Sequence, residues 1–293
     1  MARVCVVGSV NMDLTFDVST LPRPGETVLA SSLTYGPGGK GGNQAVAAAR
    51  AGAQVQFIGA VGDDPAAEQL RAHLSVNNVG LDGTVAIPGP SGTAIIVVDA
   101  SAENTIVVAP GANRQLTLTD AAVRSVITDC DVLLTQLEIP VPTAVAAAHE
   151  ARSAGAVVMV NASPAGQHQS SLAELASVAE VVIANEAEAD EWSWRPTHLV
   201  TTLGARGARC ISPDDEFWVP APPVKAVDTT GAGDVFAGVL AANWPRNPGS
   251  RAERLVALQR ACAAAALSTL VSGAGDCAPD AEAIDAALRS ELK

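Results

Sequence analysis

Residues Asp228-Thr229-Thr230-Gly231-Ala232-Gly233-Asp234 run straight into the apolar, small-residue segment Val235-Phe236-Ala237-Gly238-Val239-Leu240. A glycine-rich turn that opens a helix aims several backbone N–H groups at one place. The helix dipole adds partial positive charge there, so the turn suits an anion such as phosphate. Asp234 sets this turn apart from a generic anion nest, because its carboxylate would repel a bound anion unless it had a task such as accepting a proton. A carboxylate beside a phosphate cradle points to phosphoryl transfer, with Asp234 as base for an attacking hydroxyl. A plain capped helix start accounts for the same residues about as well, since Asp is favoured in a first turn.

Upstream of this turn the chain alternates apolar strand-like runs with amphipathic helical stretches. Strands are expected at residues 4–8, 55–59, 132–136, 157–161, 181–184 and 198–202, and helices at 43–51, from Pro65 with Asp64 as cap, and at 142–154. An edge hairpin is expected at 208–211 and 217–219, with further helices at 251–267 and from 280 to the end. Continuous apolar strands between such helices imply a parallel sheet covered on both faces. Two β-rich pieces interrupt the alternation: residues 15–35, including Glu26-Thr27-Val28-Leu29, and a hairpin at 93–99 and 104–108. They read as a small sheet, a lid formed by about 14–36 and 92–109, projecting from one α/β domain that spans 1–293.

The 293 residues are 48% hydrophobic, enough for a substantial core, and the formal charge of −13 argues against nucleic acid or an anionic membrane as main partner. No signal peptide is visible and no run is long enough to span a bilayer, so a cytoplasmic location is expected. Five scattered cysteines without a CxxC pair fit reduced thiols better than disulfides or zinc. His73, His149, His168 and His198 show neither metal nor triad spacing and read as structural.

Gly36-Pro37-Gly38-Gly39-Lys40-Gly41-Gly42-Asn43 formally contains G-x-G-x-x-G, but it follows the lid-like segment rather than the first strand of a βαβ unit. Nor is it a P-loop, because Gly41 stands where Ser or Thr would hold magnesium. A flexible turn bringing backbone, Lys40 and Asn43 to a polar ligand remains, against a loop used only for packing. Asn11 and Asp13, spaced i and i+2, face one side of an extended segment and suit a polyhydroxylated substrate; strand-end turns are the plainer explanation. Glu138 carries the same ambiguity. Asn185 and Glu188 sit past a strand end, where carboxylates organise hydrated magnesium or simply cap a helix. Thr202-Leu203-Gly204-Ala205-Arg206-Gly207 either lets a nucleotide approach the backbone or is a plain turn.

Taken in order, Gly8-Ser9-Val10-Asn11-Met12-Asp13, Pro24-Gly25-Glu26-Thr27, Gly38-Gly39-Lys40-Gly41-Gly42-Asn43-Gln44-Ala45, Gly62-Asp63-Asp64, Asn185-x-x-Glu188, Thr202-Leu203-Gly204 and the DTTGAGD turn resemble the PfkB family of carbohydrate kinases, its ribose-phosphorylating members most closely. The resemblance covers nearly the whole chain. It implies the ribokinase-like three-layer α/β/α sandwich with a mostly parallel central sheet and a projecting β-sheet lid. It also implies ATP-dependent phosphorylation of a sugar's primary hydroxyl, most closely D-ribose to D-ribose 5-phosphate; deoxyribose, fructose or a nucleoside are the alternatives. By that resemblance Asp234 is the base and the amides of Gly231, Ala232 and Gly233 form the anion hole. Asn11, Asp13, Gly39, Lys40, Gly41, Gly42, Asn43 and Glu138 would bind the sugar. Asn185 and Glu188 would place phosphate and Mg2+, while Thr202, Leu203, Gly204, Ala205, Arg206 and Gly207, with Gly233 and Cys262, would hold the nucleotide. Potassium would lie near Asp228, Thr230, Ser268, Val271, Gly273 and Cys277, and two subunits would pair through the lid.

Three departures from the family pattern stand out. Cys277 puts a thiol where a hydroxyl commonly ligates potassium, and a thiol suits a hard cation poorly. Cys262 replaces an asparagine that ribose kinases can carry near the adenine. Between Glu188 and His198 the chain is short, so a helix beside the nucleotide site is expected to be missing. A non-catalytic sugar- or nucleotide-binding protein and, more distantly, a nicotinamide oxidoreductase stay open as other classes.

Overall fold

A computed structural model describes residues 1–101, 103–246 and 249–291. Residue 102 of the expected lid and residues 292–293 of the expected last helix lie outside these. In chain order the elements are β1 (Arg3–Val7), β2 (Asn11–Asp17), β3 (Ser32–Gly38), α1 (Lys40–Arg50), β4 (Gln54–Val61), α2 (Pro65–Val76), β5 (Val79–Ala86), β6 (Gly92–Val98) and β7 (Asn104–Ala109). Next come α3 (Ala121–Thr128), β8 (Val132–Thr135), α4 (Val141–Ser153), β9 (Val157–Asn161), α5 (Gln169–Val178), β10 (Val181–Asn185) and α6 (Glu186–Glu191). The chain continues through β11 (His198–Thr202), β12 (Ala208–Ser212), β13 (Asp215–Val219), α7 (Ala232–Asn243), α8 (Arg251–Ser268) and α9 (Ala281–Glu291).

Nine strands form one sheet in the order β13-β12-β11-β10-β9-β8-β1-β4-β5. Every neighbouring pair from β5 to β11 is parallel, and β12 runs antiparallel to both its neighbours as the expected edge hairpin. Alternation along each strand builds the two sides of the core. Val4 and Val6 of β1 face a cluster formed with α1, α2, α7 and α8, while Cys5 and Val7 face another formed with α3, α4 and α5. The result is three layers, as the runs of apolar residues on buried strands require.

Four other strands form a separate sheet in the order β3-β2-β6-β7. The β3-β2 and β6-β7 pairs are antiparallel, whereas β2 and β6 run parallel. β2 begins at Asn11 and β3 ends at Gly38, outside the expected 14–36, whereas β6 and β7 lie within 92–109. Residues 26–29, expected as β-like, form no strand, and Leu29 is 89% exposed. Strand propensity there finds no neighbouring strand to pack on.

Two further readings change. Residues 40–42 are not a flexible turn but the first turn of α1, which Gly39 caps at φ 83°. The β5 edge strand, broken in sequence by Asp82 and Gly83, carries no continuous apolar run that would mark it. Between Glu188 and His198 only the end of the short α6 and a loop intervene, as the shortened segment predicts. Among the described residues no helix is long and apolar enough to cross a membrane. The five cysteines are buried, and none is joined in a disulfide.

Candidate active site

The anion-cradle turn ends in Gly231, whose left-handed φ of 78° caps α7. Only glycine fits there comfortably, since a β-carbon would stand 2.9 Å from Ala274 Cα. The first-turn amides of α7 have no intrahelical acceptors. Gly231, Gly233 and Asp234 line a cavity of about 190 Å³ together with Lys40, Asn161, Asn185, Glu188 and Thr202. Asp234 sits in the first turn of α7 and is 8% exposed.

Both carboxylate oxygens of Asp234 take side-chain amide donors from α1. Asn43 Nδ2 donates to Oδ2 at 3.0 Å and Gln44 Nε2 donates to Oδ1 at 2.9 Å. Lys40 opens the same helix. Burial works against its ammonium, but nearby Asp234, Glu138 and Glu188 more than offset this and hold its pKa above the ordinary value. Glu138 Oε2 accepts from Ser9 Oγ at 2.6 Å and from the Lys40 amide at 3.2 Å.

Asn11 and Asp13 open β2 and pair in register with Gly38 and Gly36. Asn11 Oδ1 accepts from Asn113 Nδ2 at 2.8 Å. Asp13 Oδ1 is buried without a hydrogen-bond partner. Burial, reinforced by the charges of Glu138 and Asp234, pushes the Asp13 pKa up to about 7. Gly39 lies against the backbone of Val10 and Asn11. Gly41 and Gly42 are buried, with their amides turned to Ser9 Oγ at 3.4 Å and Ser9 O at 2.9 Å, so they serve the packing of α1 on residues 8–10.

A second pocket, of about 510 Å³, shares Thr202 and Gly233 with the first cavity and is also lined by Gly204, Ala205, Gly207 and Cys262. Its remaining walls are mostly apolar, among them Val224, Phe236 and Ala265. Leu203 and Arg206 do not line it. They border an open depression beside Trp218, and Arg206 pairs with Glu186 at 2.5 Å on the surface. The neighbours of Cys262 include the Val219 carbonyl, 3.9 Å from its sulfur.

Asn185 and Glu188 form a reciprocal helix cap: Asn185 Oδ1 accepts from the Glu188 amide and Glu188 Oε2 from the Asn185 amide, each at 2.9 Å. The capping reading is therefore realised, and Glu188 lines the cavity as well. No group of three or more His, Cys, Asp or Glu residues among the described ones could hold a metal. With Asp234 tied to Asn43 and Gln44, Glu188 is the cavity's other carboxylate, and one or two carboxylates fit magnesium, which keeps several waters and shares its remaining ligands with substrate phosphates.

The potassium candidates fit less well. Asp228 accepts from the Thr230 amide at 2.8 Å and the Gly273 amide at 2.9 Å, and these bonds outweigh burial to hold its pKa below the usual range. The Cys277 thiol, its pKa pushed up to about 11 by burial, donates to the Ala274 carbonyl at 3.3 Å, with the Thr230 carbonyl 3.9 Å from its sulfur. Ser268 Oγ donates to Ala265 O, and the Ser268 carbonyl accepts from the exposed Val271. The Asp228 carboxylate and the Ser268 carbonyl thus already accept hydrogen bonds, and the Cys277 thiol stands where a hydroxyl would suit a hard cation better.

Sequence reasoning passed over Gln44, Gln136 and Asn161 as site residues. Asn161 ends β9 as Asn185 ends β10, and that shared strand-end position was the available signal. Gln44 stands next to Asn43 but is distinguished only once α7 is packed on α1.

A pfkB family carbohydrate kinase model matches residues 1–281. The ribokinase of Bacillus subtilis is 37% identical over 250 residues, covering 82% of this chain and 85% of the relative. A bifunctional ribokinase/ribose-5-phosphate isomerase A of Fructilactobacillus sanfranciscensis is 34% identical over 97% of this chain, which spans only 56% of that relative. The deoxyribokinase of Salmonella typhi is 32% identical over 81% of this chain and 84% of its own. Among solved structures, Arabidopsis thaliana ribokinase complexed with ribose and ATP superposes with a TM-score of 0.86 at 25% identity, covering 98% of this chain and 99% of that one. By sequence match and by fold, the chain belongs to the PfkB family of carbohydrate kinases.

Proposed function

We propose that this PfkB-family sugar kinase transfers the γ-phosphoryl group of ATP to the primary hydroxyl of D-ribose, giving D-ribose 5-phosphate and ADP. The observation that carries the reading is the buried Asp234 carboxylate, held by Asn43 and Gln44 beside the open first turn of α7. Asp234 takes the hydroxyl proton as the sugar oxygen bonds to the γ-phosphorus and the bond to the ADP oxygen breaks. The amides of Gly231, Ala232 and Gly233 stabilise the negative charge on the transferring group, and Lys40 adds a positive charge at the same cavity. Glu188 and Asn185 would hold magnesium through its water shell, and the ion would supply neutralisation of phosphate charge. The nucleotide base occupies the apolar pocket of Gly204, Ala205, Gly207 and Cys262, next to the phosphate end at Thr202 and Gly233. Leu203 and Arg206 shape that loop from outside. Potassium, with a thiol at Cys277 in place of a hydroxyl, takes no step in this reading.

Asn11, Asp13, Gly39, Asn43 and Glu138 form the sugar end. The unpartnered Asp13 oxygen offers a buried acceptor to a sugar hydroxyl. The small sheet acts as a lid that excludes water during transfer. Its exposed Leu33, Tyr35, Ile95 and Val107, which the strand register puts on one face, form the contact for a second subunit.

An ADP-release assay across ribose, deoxyribose, fructose and nucleosides tests the substrate. Asp234→Asn is expected to lower turnover on ribose by about 10²- to 10⁴-fold while sparing sugar binding. Near-normal turnover in that variant would reject Asp234 as base. Absence of ADP with every sugar would favour a non-catalytic binding protein.

A further inference from the structure

We infer that Gln44 is a positioning residue that fixes the orientation of the Asp234 carboxylate, an inference that rests on the reading of Asp234 as base. Gln44 is fully buried in α1 and stands 190 positions from Asp234 in the chain. Its Nε2 donates to Asp234 Oδ1 at 2.9 Å and to Asn161 Oδ1 at 3.1 Å, while its Oε1 accepts from Gln136 Nε2 at 2.7 Å. A primary amide has two N–H donors and one carbonyl. All three are matched in this orientation alone. Turned over, the Gln44 carbonyl would face two oxygens and its N–H groups would meet the Gln136 N–H.

The neighbours lock that orientation in turn. Asn161 is held by its own Nδ2, which donates to the Ile183 carbonyl at 3.2 Å. Gln136 is fully buried with its Oε1 against Gly8 and without a hydrogen-bond partner, so its donation to Gln44 is the one hydrogen bond its side chain makes among the described residues. Gln136 follows β8, Asn161 ends β9 and Ile183 lies in β10, so three adjacent parallel strands aim one amide at the carboxylate. Asn43 fixes the other oxygen. With both oxygens tethered on the α1 side, the remaining lone pairs of Asp234 are left for the cavity it lines. Removing Gln44 would free the carboxylate to rotate away from the hydroxyl it is to deprotonate, a loss felt in turnover more than in binding.

Gln44→Met, Gln136→Met and Asp234→Asn, assayed side by side for kcat and both KM values, test this. Gln44→Met is expected to lower kcat about tenfold or more, as befits loss of a hydrogen bond to a charged group. The KM values for ATP and sugar should both stay within about twofold, the signature of an interaction that acts on the transition state rather than on binding. Gln136→Met, which touches neither Asp234 nor the nucleotide pocket, should lower kcat by a smaller amount with the same unchanged KM values. It carries the test alone if Gln44→Met does not fold. An unchanged kcat in Gln44→Met, or a fall in kcat matched by a rise in both KM values in every folded variant, would leave Gln44 a packing residue. If Asp234→Asn is inactive in that case, only the positioning role falls. Turnover retained by Asp234→Asn would instead remove the base reading beneath it.

Discussion

Gly238 of α7 and Gln44 of α1 meet where their helices cross, so closely that a β-carbon at 238 would strike the Gln44 carbonyl oxygen and stand 2.8 Å from Ala47 Cβ. The missing side chain lets the helix that carries Asp234 approach the helix that carries its two amide partners. Gly238→Ala should gain a little helix propensity but lose more by overpacking, for a net destabilisation of about 1–3 kcal/mol in urea unfolding. Turnover should fall beyond the loss of folded protein, because the separating helices pull Asn43 and Gln44 off the carboxylate. Unchanged stability and unchanged kcat together would show that the crossing relaxes at no cost.

Asp13 makes the free protein's stability depend on pH. Its pKa rises from 3.8 to about 7 on folding, chiefly through burial. Folding therefore binds a proton there, and this contribution is whole below about pH 4, is lost as pH rises and levels off past about 7. Asp13→Asn removes the titration, so its melting temperature relative to the parent should climb between pH 4 and 7 and then stay flat. In the parent enzyme the sugar KM should rise as pH falls below about 7, because sugar hydroxyls donate to the ionised carboxylate. A pH-independent difference in melting temperature would contradict the assignment.

Pairing of two subunits through the small sheet, as proposed, predicts an effect on mass. Val107, on β7, is 61% exposed and shares a face with the exposed Ile95 and Tyr35. Val107→Glu places a charge on that face and should halve the mass measured by light scattering, with little change in the subunit's own folding. A parent protein that is already monomeric at micromolar concentration would refute pairing through this face.

Much of the layered fold could be read from local pattern. The runs at Val4-Cys5-Val6-Val7 and Val181-Val182-Ile183 are apolar at every position, which only a strand covered on both faces tolerates, and those strands lie near the middle of the nine-stranded sheet. The cradle was readable for the same kind of reason, since a helix start and its glycines are encoded within a few consecutive residues. Edge elements were not. β5 is interrupted by glycine and aspartate, and 26–29 have strand-like residues but no neighbour, because pairing depends on what the rest of the chain brings alongside.

From sequence alone came the alternating strands and helices, the two interrupting β pieces and the chemistry available at 228–234, all properties of short stretches whose physics is local. Which side chains meet Asp234 was decided by the tertiary structure alone. Gln44 and Gln136 lie 92 positions apart, and Gln44 and Asp234 lie 190 apart. The direction of a buried amide is set by donors and acceptors that only the packed sheet and crossed helices assemble. The same packing separated Leu203 and Arg206 from Gly204 and Gly207 in one short loop, since a tight turn sends neighbouring residues to opposite sides of the wall they form.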